Sequence, residues 1–212
     1  MGSVTGARDL AEGARYLAAH RQVAAVMLLK SGCGLAGAIS LLLTLSGERI
    51  YAIGGRPDLG ISLLYVARAL GTGIGPLLSR RITGELSSRM RPLLGIAFVW
   101  GALWYALFAI VHHPALTFIC VVIAHFGGSI VWVDSTVLLQ RMVPDEFRGR
   151  VFAADMAMVT LMIATSTWIY GELAALGIDL RLLAGAVTGS LLVPAALWTV
   201  AGRRLWGREG RG

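Results

Sequence analysis

Residues 92–133 read PLLGIAFVWGALWYALFAIVHHPALTFICVVIAHFGGSIVWV and contain no Asp, Glu, Lys or Arg. The pair His112–His113 separates two apolar runs of 20 residues each, Pro92–Val111 and Pro114–Val133. A helix of about 20 residues crosses the roughly 30 Å of bilayer hydrocarbon. The runs do not alternate polar with apolar residues and are about twice as long as a barrel strand. The stretch therefore predicts two transmembrane helices joined by a short turn.

Four more runs of this kind occur, and the whole chain has the composition of a membrane protein. Of its 212 residues, 56% are apolar and 15% charged, against about 25% charged in a soluble domain, and the mean hydropathy is +0.71. The four runs are Gln22–Leu45, Leu59–Leu78, Val151–Tyr170 and Leu182–Gly202. The prediction is an all-α integral membrane bundle of six helices, at about 22–45, 59–78, 92–111, 114–138, 149–170 and 182–202.

The basic residues predict the orientation, because Lys and Arg concentrate in cytoplasmic loops. With the N-terminus inside, 14 of the 19 basic residues fall on the cytoplasmic side. Three fall on the other side, Arg49, Arg56 and Arg181, and the remaining two, Lys30 and Arg68, lie within helices. The net charge of +7 is thus distributed as a topology signal, and we expect no nucleic-acid partner.

Both ends of the chain are predicted to be cytoplasmic. Residues 1–21 form a linker with an interfacial amphipathic helix, because Leu10, Ala14 and Leu17 fall on one helical face. Residues 203–212 form a basic tail. The expected location is the plasma (inner) membrane, as a multi-pass protein whose first partner is membrane lipid.

Four ionisable residues are predicted inside or at the ends of the helices: Lys30, Arg68, Asp134 and Asp155. Each such group costs at least about 2.5–3.5 kcal/mol to insert, so it is partnered or functional. Two interpretations stay open for them, namely buried pairs or snorkelling side chains, and a substrate or ion pathway. The third and sixth helices carry none, so the order predicts a three-helix unit repeated once in inverted orientation, with the third member of each unit facing lipid.

Glycines predict close packing beside two of these charges. In the second helix Gly71 and Gly75 form a G-x-x-x-G pair on the face of Arg68, so Arg68 should face protein or a water-filled cavity. In the first helix Gly32 and Gly34 follow Lys30, and we expect the helix to be loosened there.

The sequence carries no constellation typical of catalysis, a metal or a cofactor. Cys33 and Cys120 lie in apolar runs and are expected to pack as small hydrophobes. The adjacent His112 and His113 point in different directions, which disfavours a metal site. The segment GGSI at 127–130 lacks the last glycine of an intramembrane protease turn, and no later helix supplies a histidine base. We therefore expect that the protein is not an enzyme and binds no cofactor.

The loop between the fourth and fifth helices resembles a known family. Residues 135–153 read STVLLQRMVPDEFRGRVFA, which is similar to the loop between helices ten and eleven of major facilitator superfamily transporters of the enterobactin-exporter-like and macrolide-efflux-like branch. Residues 13–29, GARYLAAHRQVAAVMLL, resemble the family's linker into helix seven, and residues 65–81, YVARALGTGIGPLLSRR, its helix eight. The loop residues that carry the match are Gln140, Arg141, Pro144, Arg148, Gly149 and Arg150.

The resemblance covers about residues 10–205 and implies the C-terminal six-helix half of a twelve-helix transporter. It further implies proton-coupled efflux of a small amphipathic substrate. Such transporters work between two halves, so a second six-helix half, as a separate chain or in a homodimer, would be required. The alternative is a non-transporting membrane protein, either a truncated remnant or an accessory subunit.

One family motif is altered. The superfamily has G-x-x-x-D-R-x-G-R-R after helix eight, and the matching positions here are Gly75, Ser79, Arg80 and Arg81. Ser79 replaces the acid, and Ile82 replaces the second glycine. The family's pseudo-symmetry places the end of helix ten beside this loop, which predicts that Asp134 pairs with Arg80 or Arg81.

The orientation is directly testable. Reporter fusions after Gly54 and Gly177 should report the outside of the membrane, and a fusion at Gly207 the inside, because the basic residues cluster on the other side of each loop. A cytoplasmic signal from the Gly54 fusion would contradict the predicted topology.

Overall fold

The computed structural model describes residues 15–84 and 86–206, and these residues are all-α. In this part of the chain a helical segment at 15–19 precedes seven α-helices with defined bounds. They are α1 Arg21–Ser31, α2 Ala36–Arg49, α3 Pro57–Thr83, α4 Ser87–Ile110, α5 Pro114–Met142, α6 Asp145–Ala175 and α7 Leu180–Leu205. Most of the predicted N-terminal surface helix and of the basic tail lies outside the described residues.

Within the described residues, six units are long and apolar enough to cross a membrane, as predicted. The first, Arg21–Arg49, consists of α1, the 3-10 turn Gly32–Leu35 and α2, and each later helix is a unit by itself. Their length and composition indicate a multi-pass membrane protein.

The largest difference from the predicted bounds is in α6, which begins at Asp145 rather than near residue 149 and ends at Ala175 rather than 170. Pro144 is the N-cap residue, and Asp145 and Glu146 occupy the first turn. Their carboxylates stabilise the helix there by interacting with the positive end of its dipole. A search for apolar runs misses such a polar turn. The consequence is that Asp155 lies about 15 Å along α6, counting 1.5 Å per residue, which is deeper than the predicted start near residue 149 implies.

The break in the first unit is stabilised by a serine of α6. The 3-10 turn begins two residues after Lys30, where the glycines predicted loosening. The Ser166 hydroxyl donates to the Gly34 carbonyl over 2.7 Å and accepts the Ala38 amide over 3.3 Å. A Cβ at Gly34 would meet the backbone of Met162 and Ile163 at 3.0 Å or less. Glycine therefore lets the turn approach α6, and the serine satisfies backbone groups that the break exposes.

Helix α5 packs mainly against α3 and α4, α4 also packs against α7, and α2 packs between α3 and α6. The prediction that the third and sixth helices face lipid stays a prediction, because burial within this chain does not identify what covers its outer surface. In the most apolar 18-residue window, α4 and α7 are 44% and 39% buried, whereas α3 and α6 are only 22% and 17% buried. The charged residues in the sequence indicate which helices need a polar partner inside the protein. They do not indicate how much apolar surface each helix buries.

The weak burial of α3 leaves an apolar stripe on its outer face. Leu63, Val66, Leu70 and Leu77 are 37–67% exposed and recur every three to seven residues. Exposed apolar side chains in such numbers are unfavourable in water and are expected against lipid or another apolar surface.

Helix α3 approaches α5 through glycine, and one substitution tests this. A Cβ at Gly71 would meet the backbone oxygen of Val122, whereas nothing lies within 4 Å of the corresponding position at Gly73. Overpacking of this kind costs about 1–3 kcal/mol, while alanine at an exposed helical glycine is neutral or favourable. We expect Gly71→Ala to lower the thermal unfolding midpoint in detergent and Gly73→Ala not to lower it. Equal midpoints for the two variants would contradict this packing.

Candidate functional site

A buried ion pair joins the first unit to α6. Lys30 Nζ lies 2.6 Å from Asp155 Oδ2, and the two side chains are 1% and 0% exposed. Lys30 is about 14 Å from the start of α1 and Asp155 about 15 Å from the start of α6. The two charges therefore meet at the same depth, which reduces the cost of placing each in an apolar interior.

The surroundings of the pair are aromatic. Lys30 Nζ lies 4.8 Å from the ring centroid of Trp132 and 5.9 Å from that of Phe152, which are favourable cation–π distances. The second carboxylate oxygen, Asp155 Oδ1, is buried and has no hydrogen-bond partner among the described residues. Within the described part of the chain the carboxylate is thus held by Lys30 alone, so that protonating Asp155 would leave the ammonium without a counter-charge.

A central cavity of about 390 Å³ lies next to this pair. All six units contribute to its wall, including Cys33 from the first unit, Arg68 from α3, Tyr105 from α4, and His125 and Trp132 from α5. Trp132 connects the two sites, since it lines the cavity and also contacts Lys30.

Arg68 is the charged residue in the cavity wall. Its Nη1 donates to Ser40 Oγ over 2.5 Å, and its guanidinium carbon lies 5.8 Å from the ring centroid of Tyr65. In residues 15–84 and 86–206, no carboxylate forms an ion pair with it. Arg68 therefore presents a positive charge that the wall itself does not neutralise.

A tyrosine and a histidine form a second polar part of the cavity wall. His125 Nδ1 lies 3.0 Å from the Val121 carbonyl and so donates to it, and the Tyr105 hydroxyl lies 3.2 and 3.4 Å from the two ring nitrogens. Both side chains thus have internal partners and add no net charge in the neutral form of the imidazole.

The prediction that Asp134 pairs with Arg80 or Arg81 is wrong, because its partner is the neighbouring residue Ser79. Asp134 is 3% exposed, and its Oδ2 accepts from the Ser79 hydroxyl over 2.5 Å. Ser79 faces α5, whereas Arg80 and Arg81 are exposed, because successive residues of a helix point about 100° apart. The proximity of the two helix ends was predicted, and the residue that replaces the motif's acid is the one that binds Asp134.

The residues that carried the resemblance flank the short connection between α5 and α6: Gln140 and Arg141 lie in the last turn of α5, Pro144 in the connection, and Arg148, Gly149 and Arg150 in the opening turns of α6. Arg148 ion-pairs with Asp145 at 2.6 Å, and its Nη2 donates to the carbonyls of Gln140 and Val143 at 3.2 and 3.4 Å. Arg141 donates to Ser87 Oγ over 3.2 Å. These contacts satisfy carbonyls at the end of α5 and organise the turn, while Gly149 has open space around it.

Of the four predicted membrane charges, the structure brings together Lys30 and Asp155 and leaves Arg68 and Asp134 at separate places. The contributions of Ser40, Tyr105 and Trp132 were missed, since an isolated serine or aromatic residue in an apolar run carries no signal of its own. Within the described residues, no group of three His, Cys, Asp or Glu side chains is placed to hold a metal ion.

Comparison of the chain with protein-family models, with curated proteins and with solved structures produced no match.

The buried pair is tested by a double-mutant cycle. Asp155→Asn or Lys30→Met alone should lower stability by about 3–5 kcal/mol, because each leaves one unpaired buried polar or charged partner. The double variant should be more stable than Asp155→Asn, since no unpaired charge remains. Thermal unfolding in detergent measures all three.

The exposed pair Arg56–Asp58 is the matched control. Its separation is 2.7 Å, but its side chains are 64% and 61% exposed, so Asp58→Asn should leave the midpoint nearly unchanged. Additive effects of Lys30→Met and Asp155→Asn would contradict a direct interaction.

Proposed function

We propose that the chain is a six-helix half of a secondary transporter of the major facilitator type, which exports small amphipathic compounds in exchange for protons. The observation that carries the proposal is the cavity of about 390 Å³, which is walled by all six units and has Arg68 in its wall. The Lys30–Asp155 pair lies beside it, in contact with the lining residue Trp132. A substrate-sized space beside buried ionisable groups is the arrangement that coupled transport requires.

The packing order supports an internal repeat. The first unit packs on the fifth unit, α6, and in the same way the fourth unit, α5, packs on the second unit, α3. The third and sixth units, α4 and α7, pack on each other. Exchanging the first three units with the last three maps these three contacts onto themselves, whereas among the described residues the packing of α2 on α3 has no counterpart between α5 and α6. A 3+3 repeat produces this relation.

The poorly buried faces support a second half. In transporters of this type the two halves are related by an axis along the membrane normal. The helices with the least buried surface, α3 and α6, would face that partner, which is either another chain or a second copy. Because both termini are proposed to be cytoplasmic, two copies can be joined end to end without changing their orientation.

The Lys30–Asp155 pair is the proposed coupling element. When Asp155 takes a proton, the pair loses its attraction and Lys30 becomes an uncompensated charge in an apolar site. That state favours a different packing of α1 against α6. Arg68, Lys30 and Asp155 are accordingly the proposed pathway residues, whereas Asp134 and the α5–α6 turn are proposed to hold the bundle together. No enzymatic step is proposed.

Transport is tested in liposomes with an acidic interior and a panel of fluorescent amphipathic compounds of positive, negative and zero charge. A single copy per liposome should give no uptake above protein-free liposomes, because one half supplies one wall. A tandem fusion of two copies should give uptake that depends on the pH gradient. The tandem fusion with Lys30→Met and Asp155→Asn should retain exchange at equal pH but lose accumulation.

Two outcomes would overturn the proposal. Uptake by single copies would show that no second wall is needed. Absence of uptake and exchange by the tandem fusion, for every compound, would favour the non-transporting alternative.

A further inference from the structure

We propose that the central cavity binds an organic anion, a carboxylate or sulfonate on an apolar ring body, with Arg68 as the partner of the acid group. This inference deepens the proposed function by naming its substrate class, and it is tested by binding alone.

The charge of the cavity favours an anion. Arg68 is the single Asp, Glu, Lys or Arg among the residues lining the cavity, all of which the structure describes. The nearby Lys30 is neutralised by Asp155 at 2.6 Å. A cationic ligand would meet a guanidinium and find no carboxylate in the wall, whereas an anion would supply the counter-charge that Arg68 lacks.

The guanidinium of Arg68 has N–H donors that are not used by the described residues. Of its five N–H groups, the structure pairs one, on Nη1, with Ser40 Oγ. The planar fork matches the two oxygens of a carboxylate or sulfonate. The cation–π distance of 5.8 Å to Tyr65 keeps the guanidinium positioned without cancelling its charge.

The rest of the wall suits an apolar ring. Phe98, Trp132, Ile163 and Leu191 line the same cavity, and the polar groups of Tyr105 and His125 already bond each other and Val121. The volume of about 390 Å³ falls within the roughly 300–1,000 Å³ of small-molecule sites. The cavity thus combines one anion-binding point with an apolar surface.

Three probes that share one ring separate charge from hydrophobicity: 2-naphthoate, 2-naphthalenemethanol and 2-naphthylmethylammonium. Binding to the full chain in phosphatidylcholine nanodiscs is measured by equilibrium dialysis, with empty nanodiscs subtracted. We expect the anion to bind at least about tenfold more tightly than the alcohol, since a hydrogen bond to a charged group contributes on this scale. The ammonium should bind most weakly.

Variants assign the preference to one residue. Arg68→Gln should lower naphthoate affinity to that of the alcohol while leaving the alcohol unchanged, which also shows that the cavity is intact. Arg68→Lys should keep part of the preference, because it keeps charge without the fork. Arg89→Gln, an exposed arginine at the start of α4, is the control and should bind naphthoate as the unmodified chain does.

Equal affinity for all three probes, a preference for the ammonium, or naphthoate binding that survives Arg68→Gln would each overturn the inference. The assay needs neither a second half nor a pH gradient, so a failure of the tandem fusion to transport leaves it standing. Conversely, a tandem fusion that transports cations and does not prefer naphthoate would overturn the anion site alone and keep the transporter.

Discussion

The contact between Lys30 and Asp155 sets the arrangement of the bundle. An ammonium and a carboxylate that are 1% and 0% exposed tolerate burial only together, so α1 and α6 must present them at one depth. That requirement fixes the register of the two helices. The 3-10 break begins two residues after Lys30, and Ser166 lies about three turns after Asp155. The two meet at the same interface, where Gly34 leaves room for the close approach.

Close helix packing also places Arg68 at the central cavity. Gly71 and Gly75 bring the backbone of α3 against α5, and Arg68, one turn before Gly71, is carried to the cavity wall. The bundle therefore pairs one buried cation internally and presents another. This difference separates a proposed coupling site from a proposed binding site, although both charges look alike as basic residues in apolar runs.

The outer faces of α3 and α6 are a second constraint on the molecule, because they are apolar and exposed. Helices α3 and α6 bury the smallest share of their apolar windows, 22% and 17%, and yet they carry Arg68 and Asp155. Their inner faces hold the charges and their outer faces hold apolar side chains such as Leu70 and Trp168. A surface of this kind needs lipid or a partner helix, which is why the proposed function requires an assembly around the chain.

Much of the architecture was determined by sequence alone: the number of units, their approximate bounds, the loosened helix after Lys30 and the close packing at Gly71. These features depend on local composition, and the length of an apolar run or a glycine beside a charge can be read without knowing its neighbours. Only the tertiary structure decided that Lys30 pairs with Asp155, that Asp134 binds Ser79 rather than Arg80 or Arg81, and that α3 and α6 are the exposed helices. Partners 125 and 55 residues apart in the chain are selected by helix rotation and depth, because a turn of about 100° decides whether a residue or its neighbour faces the contact, and this rotation is set by packing.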